Sequence, residues 1–466
     1  MQDLGSFDDA RLRRGGAEFL AALMAKRSCC VRELGETRDR EIRFNRFLHN
    51  ERVAAEEIIE TAANHTARAV RGRPVLAIHD TTTLNFTKHA KSKKDFGKIG
   101  NGRDIGFYVH PTIVVEAAAA GVIGVDHAGG ILGLAGACVY RREPAETKTP
   151  SAPLRDRKRA IKDRESGRWL EGLAAASRLG DAETVTLVGD RESDIYQLFA
   201  QERPDNVHLL VRAQHNRALS EGGRLFEEMA ERPHVEGPGI EIPAKRGRSA
   251  RSAKVRIAFA PLEIKRPGRV YAAKGLPASI PVFAVHVEEI DPPRGEKPVM
   301  WLLLTTHRIE SLAGALQVVE WYRARWTIEQ LFRTLKTQGF DIEQSQIETF
   351  AVMRKLAVAA LIASLRTLQL VHARNGDTGQ KLTDAIDAAD EPVVEALVQK
   401  LEGKTAKLQC PHPKGSLGRL AWVVGRLGGW SGYVSKGYKP AGVKTIARGL
   451  IRFDAIREGW RMRKDV

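Results

Sequence analysis

Apolar positions in the first 70 or so residues recur at helical spacing: Leu20, Leu23 and Met24 share one face, and Ile58, Ile59 and Ala62 share another. Between them, Arg38, Arg40, Arg43 and Arg46 interleave with Phe44 and Phe47, beside the short glycine-containing turn Leu34-Gly35-Glu36. A basic helix next to such a turn suits a helical DNA reader. A solvated amphipathic helix has the same pattern, and periodicity ranks neither first.

The period then changes. Val75-Leu-Ala-Ile-His-Asp80 is a short apolar run ending in a carboxylate and followed by three threonines; Tyr108 to Glu116 and Val122 to Val125 read as the next strands. Residues 155 to 178 are charged and helical, and Thr184-Val-Thr-Leu-Val-Gly-Asp190 is another β-branched run ending in a carboxylate. Such runs read as strands buried on both faces, and strands mixed with helices predict an α/β core. From about residue 207 to 306 the pattern is mostly strand, at Leu209 to Arg212, Lys254 to Phe259, Val282 to Glu288 and Met300 to Thr305, with Pro/Gly turns between. One connection, Lys245 to Lys254, is strongly basic, as a phosphate-tracking loop or a plain surface loop would be. Beyond residue 310 the chain reads as helical, and Val443, Ile446, Leu450 and Phe453 form a stripe suited to a core or a subunit contact.

Charge adds a partner class. The 466 residues carry 74 Lys+Arg against 57 Asp+Glu, a formal net charge of +17 that favours a polyanion, most commonly nucleic acid. The four cysteines, Cys29, Cys30, Cys138 and Cys410, show no C-x-x-C spacing, so neither a zinc site nor a disulfide framework is expected. That usage fits a reducing cytosol. The polar start lacks a signal-type apolar stretch. The apolar window Ala117 to Val139 is broken by Asp126, His127 and repeated Gly, so no membrane span is expected.

Asp80 and Asp190 each fall at the C-terminal end of a predicted buried strand, where ligand sites collect in α/β sheets. Either one alone also suits a turn or a helix cap. Taking Trp321 to Lys336 as one helix, with Tyr322 at 0°, places Arg325 at about −60°, Glu329 at about −20° and Lys336 at about −40°. A phenol, a guanidinium, an acid and an ammonium thus share an arc of about 60°. Trp321, Ile328, Phe332 and Leu335 form the flanking core stripe. An ordinary i, i+4 ion pair would account for Arg325 and Glu329 but not for Tyr322 and Lys336.

The Tyr-(2)-Arg-(3)-Glu-(6)-Lys spacing resembles the signature of the insertion-sequence-four family of DDE transposases, with the transposon-five branch the nearer match. Ile78-His-Asp-Thr-Thr-Thr-Leu84 resembles the segment bearing the family's first catalytic aspartate, and Gly189-Asp-Arg-Glu-Ser-Asp-Ile-Tyr196 the second. Glu288 to Leu304 is similar to the strand leaving the family's β-insertion, and Phe44 to Asn50 to part of its DNA-binding domain. The likeness runs from roughly residue 7 to 370 and weakens beyond.

The resemblance implies an α/β, ribonuclease-H-like core over 71–370, with a β-rich insertion at about 214–306. A helical DNA-binding domain (1–70) and a helical dimerisation domain (371–466) would flank it. It implies a cut-and-paste transposase in the bacterial cytosol, acting on transposon-end and target DNA as a homodimer. Asp80, Asp190 and Glu329 would hold two Mg²⁺ (or Mn²⁺) ions for nicking, hairpin closure, hairpin opening and strand transfer. Trp301 would stack beside a flipped base, and Tyr322, Arg325 and Lys336 would grip phosphates near it, with Arg212 and Arg333 as further DNA contacts. A core aromatic is the plain alternative for Trp301, and a surface charge for Arg212. Hydrogen-bonded core histidines are expected at His79 and His110. The rival readings are a metal-dependent junction nuclease and a non-catalytic DNA-binding relic. A phosphatase with Asp80 as nucleophile would want a second Asp at position 82, which is Thr.

Overall fold

The computed structural model describes residues 4–117, 129–142, 165–242, 251–268, 275–337, 339–376, 378–432 and 440–464. The expected strand at Val122 to Val125, the charged stretch up to residue 164 and the first part of the Lys245–Lys254 connection lie outside these residues.

The chain opens with α1 (Ala10–Lys26), α2 (Val31–Gly35), α3 (Arg38–His49) and α4 (Ala55–Ala69). Side-chain oxygens of Asp9 and Thr37 cap α1 and α3 by accepting from the Arg11 and Arg40 amides, satisfying donors that a helix start leaves free. Phe19 locks the two helices together, its ring centroid 5.3 Å from Phe44 and 5.8 Å from Phe47. The arginines of α3 are partly neutralised: Arg38 pairs with Glu41, Arg40 with Glu36 and Arg43 with Asp39. Arg46 stays exposed.

The central sheet then forms from β1 (Pro74–His79), β2 (Thr82–Asn85), β3 (Gly97–Ile99), β4 (Asp104–Glu116) and β5 (Ile131–Tyr140). After α5 (Gly167–Ser177) come β6 (Thr184–Gly189), α6 (Tyr196–Phe199) and β7 (Val207–Arg212). β4 runs antiparallel to both β1 and β5, whereas β6 runs parallel to both β1 and β7. The spatial order is therefore β5-β4-β1-β6-β7. Alternate residues face two different cores: Leu76, Ile78 and Val188 enter one, and Val75, Ala77 and Leu187 the other. The continuous apolar runs follow from this two-sided burial.

The strand-rich region continues the same sheet. After α7 (Leu225–Glu231), β8 (Val235–Glu236), β9 (Ile240–Ile242) and β10 (Arg251–Ala253), the long strands β11 (Val255–Lys265) and β12 (Ser279–Glu289) pair along their whole length. β13 (Met300–Thr305) then joins β12 to β7. A buried ion pair fastens the entrance to this region: Asp194 accepts from Arg217 at 2.9 Å and from the Gln214 and His215 amides at 2.7 and 2.9 Å.

Helices α8 (Leu312–Ala324), α9 (Trp326–Lys336) and α10 (Phe350–Ala373) follow. α10 is long and apolar enough to cross a bilayer on composition alone, yet 83% of its most apolar window is buried inside the protein. It is the central core helix, so its apolar length serves the interior of the protein. The chain ends in α11 (Glu391–Leu401), α12 (Leu417–Leu427) and α13 (Val443–Lys464). In α13 Ile446, Leu450 and Phe453 enter a core with Trp422, while Ile451, Ile456 and Met462 stay exposed.

Candidate active site

β1 and β6 lie side by side in parallel, about 4.8 Å apart as neighbouring strands do. Their ladder ends where Ile78 faces Val188. Two residues further along each chain stand Asp80 and Asp190, so equal spacing in two parallel strands delivers two carboxylates to one edge of the sheet. Each also behaves as the turn residue it resembled: Asp80 Oδ1 accepts the Thr81 amide at 2.7 Å, and Asp190 Oδ1 accepts the Glu192 amide at 2.9 Å. The turn role and the site role are compatible, because those bonds engage one oxygen of each carboxylate.

Gly189 is required by close approach. A Cβ there would collide with the Ser193 hydroxyl and crowd His79. Bringing Asp190 to the edge thus needs a residue without a side chain just before it.

The helix predicted over Trp321 to Lys336 is in fact two. α8 ends at Ala324 and α9 starts at Trp326, with Arg325 as the joint. Around it, i→i+3 bonds stand in for α-helical ones: the Arg325 amide donates to Tyr322 O at 3.2 Å, and the Ile328 amide to Arg325 O at 3.1 Å. Arg325, only 9% exposed, reaches into the site. Its Nη1 donates to Asp80 Oδ2 at 3.1 Å and its Nη2 to Glu329 Oε1 at 2.7 Å. Burial disfavours charge on Arg325; Tyr322, Asp80 and Glu329 together outweigh that and raise its pKa. Burial raises the Asp80 carboxyl to about 6; Asp190 and Glu329 push the same way, while Arg325 and the Thr81 amide oppose.

An aromatic and basic wall adjoins the acids. Tyr322 is buried, and the half-buried Trp301 meets it edge-on with centroids 5.6 Å apart. Arg212 donates to Met300 O at 2.9 Å; burial lowers its pKa, and the nearby Tyr322 opposes that. Its strand places it opposite Leu303, two residues from Trp301. Lys336 lies further along α9, half-buried and 4.0 Å from Glu343; burial lowers its pKa and Glu343 opposes that. Arg333 is exposed on the same helix. Asp80, Glu329, Arg325, Tyr322, Trp301 and Arg212 therefore form one continuous set of contacts, with Asp190 at the neighbouring strand end.

One of the two histidines departs from expectation. His110 Nδ1 bonds the Thr81 hydroxyl at 2.9 Å, as a core histidine should. His79 is fully buried with neither ring nitrogen hydrogen-bonded, and it packs edge-on against Trp169 at 4.8 Å. Burial, reinforced by the nearby Arg168 charge, pushes its pKa down to about 3, so it is a neutral packing ring. Three polar residues went unremarked in the sequence: Thr81, Glu192 and Arg168. For Thr81 and Glu192 the signal lay in the threonines after Asp80 and in Asp190-Arg-Glu, visible as motifs but silent about which side chain meets which; Arg168 had no such signal.

Among the described residues no group of three or more His, Cys, Asp or Glu is gathered as a ready metal cage. The donor chemistry nonetheless fits a hard divalent cation: carboxylate oxygens from rigid elements, with Asp80 raised by burial first and then by Asp190 and Glu329. The compensating charge between Asp80 and Glu329 here is the Arg325 guanidinium.

Residues 164–366 match the family model of the transposase DDE domain. The match takes in Asp190 and Glu329 and begins after Asp80. It supports a DDE transposase, a class of domain that generally uses divalent metal ions. Among solved structures, the chain is similar to a piggyBac transposase in a synaptic complex with hairpin DNA. The TM-score is 0.39 and the identity 11%, over 96% of this chain and 72% of that one. A superposition that loose carries no argument about fold or chemistry.

Proposed function

We propose that this protein is a cut-and-paste DNA transposase whose Asp80, Asp190 and Glu329 hold two divalent cations, Mg²⁺ or Mn²⁺. The observation that carries the reading is the equal placement of Asp80 and Asp190 on parallel β1 and β6, with Glu329 tied to Asp80 through Arg325. The order β5-β4-β1-β6-β7 supports a ribonuclease-H-like core. The specific relationship to the insertion-sequence-four family rests on the Tyr322, Arg325, Glu329 and Lys336 spacing.

When bound, the cations supply a Lewis acid that makes water or a 3′-OH nucleophilic and stabilises the leaving oxygen. The chain's own residues do the rest. Asp80, Asp190 and Glu329 accept no proton from the reaction in this scheme; they fix positive charge at the scissile phosphate. Arg325 has a planar fork suited to phosphate, and on DNA binding it exchanges carboxylate partners for phosphate oxygens. Trp301 and Tyr322 form a surface on which an unstacked base can lie, which eases the tight turn of a hairpin. Arg212, Lys336 and the exposed Arg333 extend the positive surface along the phosphates. A homodimer built on the C-terminal helices is what the family resemblance implies, and Ile451 and Met462 are exposed on one face of α13.

The test is incubation of the full chain with Mg²⁺ and duplex DNA bearing the short inverted repeats expected at both ends of its gene. Hairpin ends and joined products support the reading. Nicks without hairpins favour a junction nuclease, and binding without cleavage a relic.

A further inference from the structure

The backbone ladder between β1 and β6 stops at Ile78 and Val188, so it does not hold Asp80 and Asp190 at a fixed separation. Beyond that point the two chains leave the sheet. Both leaving segments meet one side chain, Arg168, in the first turn of α5. Its Nε donates to Thr81 Oγ1 at 2.8 Å, and its Nη2 donates to Glu192 Oε2 at 2.9 Å. Thr81 directly follows Asp80, and the Glu192 amide is the donor to Asp190 Oδ1. The third nitrogen, Nη1, donates to Glu165 O at 2.7 Å, and Arg142 pairs with the Glu165 carboxylate.

We propose that Arg168 is a positioning residue that sets the spacing of the Asp80 and Asp190 carboxylates by clamping the residues that follow each of them. The inference rests on the carboxylate reading above and adds a residue that neither the motifs nor the carboxylate arrangement identifies.

Three observations carry it. Arg168 is the right kind of group: a rigid, planar fork offers several donors at fixed angles, where a lysine offers one point charge. It is also held from behind, with a side chain only 13% exposed and the Glu165 carbonyl fixing Nη1. The third is the sharing of Thr81. Its hydroxyl accepts from Arg168 Nε at 2.8 Å and also hydrogen-bonds His110 Nδ1 at 2.9 Å. Those two bonds hold Thr81 from both sides. The Glu192 arm is weaker, because its carboxylate is 64% exposed and screened by water. The Thr81 arm is the stiffer of the two.

Removal of such an outer contact typically weakens metal binding by roughly 10–100-fold without touching a ligand. The experiment measures Mn²⁺ binding by calorimetry on the full-length protein without DNA, and DNA affinity separately by fluorescence anisotropy. The variants are Arg168→Gln, Arg168→Lys, Thr81→Val and Glu192→Gln. Arg71→Gln serves as the control, since its pair with Asp181 is largely exposed. The expected result is Mn²⁺ affinity at least about 10-fold lower in Arg168→Gln, with DNA affinity held within about twofold. Arg168→Lys should recover part of the loss. Thr81→Val should lose more than Glu192→Gln, and Arg168→Gln combined with Thr81→Val should lose little beyond Arg168→Gln.

Should Arg168→Gln fail to fold, Thr81→Val and the exposed Glu192→Gln carry the same expectation. Unchanged Mn²⁺ affinity in the folded clamp variants overturns the proposal, as does a loss confined to DNA binding, which would make Arg168 a DNA contact. The carboxylate reading fails separately: wild type would bind no Mn²⁺, or Asp190→Asn would bind it as tightly as wild type. Either result removes the ground for the clamp as well.

Discussion

Arg325 donates a hydrogen bond to Asp80 across 3.1 Å, joining the head of α9 to the end of β1 although 245 positions separate them in sequence. The same guanidinium holds Glu329 at 2.7 Å. One buried side chain therefore supplies the charge that keeps two partly buried acids together.

Removing that charge should cost stability. Arg325→Gln is expected to lower the unfolding free energy of the metal-free protein by about 3 kcal/mol, because a buried pair loses one partner. Added Mg²⁺ should restore part of the loss, and thermal melts with and without the ion measure both effects. An unchanged melting temperature would mean that Arg325 does not compensate the acids.

The raised Asp80 carboxyl gives a pH signature. Its folded value is about 6 against an ordinary 3.8, so the folded state keeps a proton that the unfolded chain releases. The stabilisation linked to that proton is full below about pH 4 and is lost as pH rises through 6. Asp80→Asn has no such loss. Its melting temperature, compared without metal, should exceed that of wild type above pH 6 by an amount worth up to about 3 kcal/mol, with the gap opening between pH 4 and 6. A gap that is constant with pH would contradict the assignment.

Trp301 packs at a steep angle against Tyr322 and is only half-buried, so part of its ring stays open to solvent. Trp301→Ala is expected to slow hairpin closure by roughly 10-fold or more, the effect of losing 1–3 kcal/mol of stacking. First-strand nicking should stay near the wild-type rate. Gel assays that resolve nick from hairpin separate the two, and an equal loss in both would return Trp301 to a packing role.

Asp194 and Arg217 make a different kind of prediction, about folding alone. Asp194 is fully buried and takes bonds from Arg217 and two backbone amides. Arg217→Ala should destabilise the protein by about 3–5 kcal/mol in chemical denaturation, and Mg²⁺ should not rescue it.

The strands around Asp80 and Asp190 were legible because two-sided burial writes an uninterrupted apolar run, and both runs end at the acid. The arc of Tyr322, Arg325, Glu329 and Lys336 was legible as a pattern. Its break at Arg325 was not, since nothing in Arg-Ala-Arg-Trp departs from ordinary helix formers, and the joint forms where Arg325 engages Asp80 from a distant strand. His79 carries the opposite lesson: its setting against Trp169 and beneath Gly172 and Gly189 is purely tertiary. Arg168 was hidden for the same reason. Its partners, Thr81 and Glu192, lie 87 and 24 positions away, beyond the reach of any local rule.

The most direct test of the central claim is cleavage of end-bearing duplex DNA in Mg²⁺ by wild type beside Glu329→Gln, with DNA binding measured on both. Wild type should give nicks, hairpins and joined products and Glu329→Gln none, at closely similar DNA affinity. Cleavage by Glu329→Gln at a rate near that of wild type would contradict the claim.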